Sequence, residues 1–151
     1  MSDVVLSYIE RDNKYLMLLR NKRDIDINKN KFIGIGGHIE KGETKEEALV
    51  REIWEETGLI VKHFTYRGYV YFNNGNPKDE ENMYLFHVDE FEGEIKECDE
   101  GTLYWIDKDK VLDLNLWEGD KYFLIPFMNS NDLINLRMYY KDDKLIKYEK
   151  I

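Results

Sequence analysis

Between Gly34 and Gly58 the chain constrains its own backbone more tightly than anywhere else. Three glycines, Gly34, Gly36 and Gly37, interrupt a short β-rich run over Phe32 to Ile39. Glycine inside a strand marks backbone that bends or that lets another group approach closely. A helix is expected next, over Thr44 to Thr57. Thr44 with Glu47 three residues on fits a capping box, and Gly58 stands where a left-handed C-cap belongs. Leu49, Val50 and Ile53 mark its core-facing side.

The other face of that helix carries Glu52, Glu55 and Glu56 at i, i+3 and i+4, so the three carboxylates converge. They sit toward the helix C-terminus, where the macrodipole also disfavours negative charge, at a cost of up to ~1 kcal/mol each. Pairing of Arg51 with Glu47 and Glu55 relieves part of this, as on any solvated charged face. Next to Gly36-Gly37, where bare backbone offers carbonyls, the same carboxylates supply the hard oxygen ligands that Mg²⁺ accepts, with positions left for water and substrate phosphates.

The rest of the chain bounds the setting. At 151 residues it has the size of one domain, read as residues 1–151. A 42% hydrophobic content spread along the length disfavours a disordered or coiled-coil chain. Net charge is −9, which argues against a nucleic-acid polymer as partner but permits a small anion once metal ions neutralise the site. The single cysteine, Cys98, forms no internal disulfide, and neither a membrane span nor a signal peptide is visible. A cytoplasmic protein is expected.

Strand-like runs cover Val4 to Arg11 and Tyr15 to Arg20, then Ile60 to Phe72 and Asn82 to Phe91 as a long hairpin, and Thr102 to Ile106. A loop fills Asn21 to Lys31. Asp107 is read as the cap of a helical turn through Leu112, Asp120 to Met128 as a helix, and Leu136 to Tyr148 as a closing hairpin. The order implies a mixed α/β (α+β) domain with helices flanking a sheet.

Reading from Gly37, the chain gives glycine, five residues, Glu43, seven residues, Arg51-Glu52-Ile53, one residue, Glu55-Glu56, one residue, and Gly58-Leu59. This resembles the complete signature box of the Nudix hydrolase family. The resemblance implies an α/β/α sandwich around a mixed sheet. It also implies Mg²⁺ (or Mn²⁺ as substitute) held by Glu52, Glu55, Glu56 and the Gly37 carbonyl, and a supporting ion pair between Glu43 and Arg51. The implied chemistry is hydrolysis of a diphosphate linkage, with metal ions activating water and clamping phosphates.

Beyond the box, the resemblance extends to the MutT type, in which an acid of the loop before Thr102 approaches the metal; Glu100 is the candidate ligand or base. Lys22 and Arg23 are candidate phosphate contacts. Trp117 and Asp120, in Leu116-Trp117-Glu118-Gly119-Asp120, look like an element that meets the base in oxidised-purine triphosphatases, an aspartate reading the base edge and a tryptophan offering a stacking face. Trp117 as a core anchor is the alternative. Some relatives place an asparagine just before the glycine stretch, whereas this chain has Ile33, so that hydrogen bond is absent or comes from elsewhere.

The implied substrate is an oxidised purine nucleoside triphosphate such as 8-oxo-dGTP, cleaved to monophosphate and pyrophosphate in nucleotide-pool sanitation, by a monomer or homodimer. One rival is another diphosphate-linked nucleotide, such as ADP-ribose or a dinucleoside polyphosphate. The ADP-ribose branch often has a proline shortly after the box, where this chain has Asn73-Asn74-Gly75. A second rival is a Nudix domain that only senses a nucleotide, which has no need of three intact glutamates. Trp54 and Trp105 are read as packing residues, and His38, His63 and His87 lack metal-ligand spacing.

Overall fold

The computed structural model describes residues 1–151. Nine strands form one mixed sheet: β1 (Ser2–Arg11), β2 (Lys14–Leu19), β3 (Phe32–Ile33), β4 (Ile35–His38), β5 (Ile60–Asn73), β6 (Glu81–Glu92), β7 (Thr102–Asp107), β8 (Ile134–Lys141) and β9 (Lys144–Lys150). The helices are α1 (Lys45–Thr57) and α2 (Asp120–Asn129). The main path runs β3-β2-β1-β6-β5-β8-β9, with β4 also on β1 and β7 on β2. β1–β6 and β5–β8 are parallel; the other pairs are antiparallel.

Strand alternation divides the core between the two sheet faces. On β2, Leu16 and Leu18 join Ala48, Leu49 and Ile53 of α1, while Tyr15 and Met17 join Phe123, Leu124 and Phe127 of α2. A helix thus covers each face, as the sequence implies. Because side chains alternate with period two, one extra residue swaps the faces of all that follow. β5 uses this: Phe64 and Tyr66 pack with the α1 side, a bulge falls between Tyr66 and Gly68, and Val70 and Phe72 then pack with the α2 side. Only glycine fits at 68, where φ is +126° and a Cβ would lie 1.9 Å from the Ile134 carbonyl oxygen.

β1 and β2 pair only beside their two-residue turn, at Glu10↔Tyr15 and Arg11↔Lys14, with Asp12 and Asn13 both at positive φ. Farther on they diverge, and the β3–β4 segment wedges between them, β3 on β2 and β4 on β1. The glycine-rich stretch is therefore a split strand, and its splay opens the sheet beside the N-terminal half of β1.

Helix α1 has the expected ends. Thr44 Oγ1 accepts from the Glu47 amide at 3.0 Å, the Glu47 carboxylate accepts from the Thr44 amide at 3.0 Å, and Gly58 closes the helix at φ 81°. Its buried side is Ala48, Leu49, Ile53 and Thr57. Val50, expected inside, is 39% exposed, because the helix rests on the sheet along the Ala48–Leu49–Ile53 line and Val50 falls outside it. Trp54 is also no packing residue of the core: it is 55% exposed, with Lys96 Nζ 5.0 Å from its ring centre. Trp105 does pack, stacked on Phe91 with centroids 6.0 Å apart. The turn after β7 is a 3₁₀ segment, Lys108–Asp113, and the Asp107 side chain makes no cap hydrogen bond.

Candidate active site

The splay beside β4 opens into a cavity of about 600 Å³. Its lining includes the linked charged groups Glu52, Glu56, Glu100, Arg20 and Arg23, the contacting residues Asn28, Trp117 and Phe72, and also Ile33, Met83, Asp120, Lys78, Asp79 and Glu81. A cavity that brings charged groups and aromatic side chains into one space suits a ligand with a charged part and a flat ring.

Beside the charged groups, Gly37 brings strand and helix together. A Cβ there would stand 2.4 Å from Glu52 Cδ, so the Glu52 carboxylate fills the space a side chain would need. Arg51 holds the loop in place. Its Nε and Nη2 donate to the two Glu43 oxygens at 2.7 and 2.9 Å, Nη1 to Glu52 Oε1 at 2.8 Å, and Nη2 also to the His38 carbonyl at 3.0 Å. Arg51 thus ties the loop before α1 to β4 and to Glu52, a two-pronged geometry that a lysine does not offer. Glu47, expected as a second partner of Arg51, is committed instead to the helix cap.

The hydrogen bonds from Arg51, then the Glu40 amide, hold Glu43 down at a pKa of about 2, from an ordinary 4.5. A depressed carboxylate stabilises the fold above its unfolded pKa and loses that contribution as pH falls through its folded one. The expected result is that Glu43→Gln lowers stability at neutral pH and that the difference from wild type shrinks between about pH 4.5 and 2. Denaturant midpoints across that range check it; a difference that does not narrow on acidification rejects the pair as its source.

Glu56 is the most constrained acid. Burial, then the Glu100 carboxyl beside it, then the Glu52 charge push its pKa up to about 9, against a smaller opposing effect of Arg20. Its Oε2 is buried without any hydrogen-bond partner. A buried polar atom left unpaired costs ~1–3 kcal/mol. Burial raises Glu52 as well. Glu100 is flanked by Arg23 at 3.2 Å and Arg20 at 3.5 Å, and Arg20 is itself fixed by Asp26 at 2.8 Å. Two arginines beside three carboxylates leave cationic groups at the cavity wall for an anion.

The donor chemistry fits a divalent cation: Glu56 has a buried oxygen without a partner, and the carboxylates of Glu52 and Glu100 line the same cavity as Gly37. As the side chains lie, no three His, Cys, Asp or Glu converge closely enough to hold an ion. Glu55 is drawn aside by Arg51 at 3.1 Å, is 50% exposed, and does not line the cavity. Of the other sequence candidates, Arg23, Glu52, Glu56, Glu100, Trp117 and Asp120 meet in this cavity, with Glu43 and Arg51 behind it. Lys22 does not. Its ammonium is turned away to Glu97 at 3.1 Å and the Cys98 carbonyl at 2.8 Å.

Trp117 is 6% exposed, packed edge-on against Phe72 and Tyr140, so it is a core anchor whose edge reaches the cavity. Burial lifts Asp120 to about 7, against an opposing charge from Lys31. Arg20 and Asn28 escape the sequence reading. Arg20 is brought in because β2 pairs with β7, which places the end of β2 beside the Glu100 loop; nothing in its local spacing signals this.

Comparison with known proteins bears on the family and the fold. The family model described as NUDIX domain matches residues 2–126. An oxidized purine nucleoside triphosphate hydrolase of Danio rerio is 36% identical over 90 residues, 60% of this chain and 58% of that protein. An ADP-ribose pyrophosphatase of Methanocaldococcus jannaschii is 40% identical over 92 residues, 61% of this chain and 53% of that protein. The matches thus span little more than half of either relative. The crystal structure of a MutT protein from Bacillus halodurans superposes with a TM-score of 0.88 at 29% identity, over 99% of this chain and 97% of that one. Nudix hydrolases generally use divalent metal cations. With the family model running from β1 into α2 and a solved MutT protein matching almost end to end, this chain belongs to the Nudix hydrolase family.

Proposed function

We propose that the protein is a divalent-cation-dependent, most simply Mg²⁺-dependent, hydrolase of nucleoside triphosphates, with an oxidised purine such as 8-oxo-dGTP as the fitting substrate. The observation that carries the reading is the mixed lining of one cavity, which joins acids and two arginines with Trp117, Phe72 and Asp120. A triphosphate and its base need those two environments in one continuous space.

Glu52, Glu56 and Glu100 would hold the cation, with Glu55 joining once it leaves Arg51. When bound, the cation supplies charge neutralisation at the phosphate oxygens. Arg20 and Arg23, beside Glu100, would orient the phosphate chain. Glu100, which lies against Arg20, Arg23 and Glu56, would take a proton from the attacking water. Arg51 and Glu43 keep Glu52 against Gly37, so that catalysis draws on positions fixed before substrate arrives. Attack of water at phosphorus gives two phosphate-bearing products, with the proton leaving through a carboxylate.

A second reading, a pyrophosphatase of ADP-ribose, is favoured by the higher identity of the Methanocaldococcus relative. The two are separated by kcat/KM for 8-oxo-dGTP, dGTP and ADP-ribose with Mg²⁺ present. The expected order puts 8-oxo-dGTP first. Faster turnover of ADP-ribose transfers the assignment to the second reading, and no turnover of any of the three defeats both.

A further inference from the structure

We infer that Asn28 reads the base edge: its side-chain amide, locked in one orientation by Trp117, presents a hydrogen-bond donor that selects a ring carbonyl over a ring amino group. The inference rests on the nucleotide-hydrolase reading above and names a recognition residue for that site.

An asparagine amide is ambiguous, since rotating it by half a turn exchanges donor and acceptor. Asn28 lacks that freedom. Trp117 Nε1, which only donates, bonds Asn28 Oδ1 at 2.7 Å, so the oxygen must face the indole. Nδ2 then carries two N–H groups, makes no hydrogen bond to the protein, and belongs to a side chain lining the cavity. The backbone is held too: the Asn28 amide donates to Asp26 Oδ1 at 3.0 Å, and the Asn28 carbonyl accepts from the Lys31 amide at 2.8 Å. Behind the lock, Trp117 is itself immobilised, with Phe72 and Tyr140 each at 5.2 Å between ring centroids.

Asp120, a second polar side chain lining the same cavity, discriminates poorly on its own. At a pKa of about 7 it exists in both protonation states at neutral pH, accepting from one base and donating to another. Asn28 does not titrate. A group of fixed polarity beside one of variable polarity makes Asn28 the one that sets preference. The amide donor suits the O6 of a guanine-type base and opposes the amino group of an adenine-type base. Asn28 thereby fills the role left open by Ile33, reached from the loop before β3 rather than from the strand.

The test compares kcat/KM for 8-oxo-dGTP against 8-oxo-dATP, and dGTP against dATP, together with dissociation constants for dGMP and dAMP measured by NMR. Wild type is expected to favour the 6-oxo member of each pair by about 10–100-fold, the discrimination of one well-placed polar contact to a base. Asn28→Asp keeps the oxygen facing Trp117 but turns the donor into an acceptor; it is expected to abolish or reverse the ratio in turnover and in binding. Trp117→Phe keeps the ring, removes the N–H, and is expected to shrink the ratio by letting the amide turn. An unchanged ratio in Asn28→Asp, or a Trp117→Phe variant that loses both members equally, overturns the inference. A wild type that binds dGMP over dAMP, loses this in Asn28→Asp, yet hydrolyses nothing, supports the inference and rejects the hydrolase reading. Equal binding of both monophosphates by wild type rejects the inference whatever the turnover.

Discussion

Glu56→Gln is expected to make the metal-free protein more stable while removing its proposed activity. Glu56 is a buried acid with one orphaned oxygen, beside Glu100 and Glu52. A raised carboxyl pKa means that the fold disfavours the ionised form, so stability falls as pH rises from the unfolded value of about 4.5 to the folded value of about 9. Glutamine carries no charge and offers an N–H₂ to Glu100. In chelator, the variant should gain ~1 kcal/mol or more at neutral pH, about 2–4 °C in Tm, and should lose the wild-type decline in stability toward pH 9. Turnover should fall at least ~100-fold, because even residues supporting a metal ligand cost 10–100-fold when replaced. Thermal unfolding and steady-state rates check the two halves. A variant no more stable than wild type would mean that Glu56 is satisfied in the fold; full activity would remove it from the site.

Arg67→Met is expected to be the most destabilising exchange far from the cavity, at ~3 kcal/mol. Arg67 is 3% exposed and has no carboxylate partner; burial depresses its pKa. Its charge is met by carbonyls at and just beyond the C-terminal end of α2, and the Asp132 charge also favours it. Its Nη1 donates to the Phe127 carbonyl at 3.0 Å, and its Nη2 to the Ser130 and Asp132 carbonyls at 2.7 and 3.2 Å. The last carbonyls of a helix lack intrahelical partners and carry the negative end of the dipole, so one guanidinium satisfies several at once. Its carbon also lies 4.5 Å from the centre of the Phe127 ring. Methionine keeps the apolar stem and loses every donor. Arg67→Lys, with its charge but no fork, should lose less than methionine. Urea midpoints at unchanged m-value test the pair; a loss below ~0.5 kcal/mol for Arg67→Met rejects the anchor.

The two residues show where sequence reading reaches and where it stops. Glu56 was legible because its meaning lies in spacing: three acids on one turn of a helix, next to glycines. Arg67 was not, because its partners lie 60 and more positions away and appear only when the β5 bulge turns it toward α2. The misread positions share that cause. Val50 and Lys22 have sensible local environments, but Val50 falls just off the helix–sheet contact line, and Lys22 meets the Cys98 carbonyl, which nothing nearby in sequence announces.

By itself the sequence determined the helix ends and the acidic face of α1, which follow from capping and periodicity, while its resemblance to a known signature implied the family and the Glu43–Arg51 pair. Tertiary structure alone decided that Arg20 faces Glu100, that Lys22 turns to the Cys98 carbonyl, and that Asn28 is locked by Trp117 in the same cavity as Asp120. The physical reason is that helix and strand periods fix which side of an element a residue takes. Only the packing of elements distant along the chain fixes what that side meets.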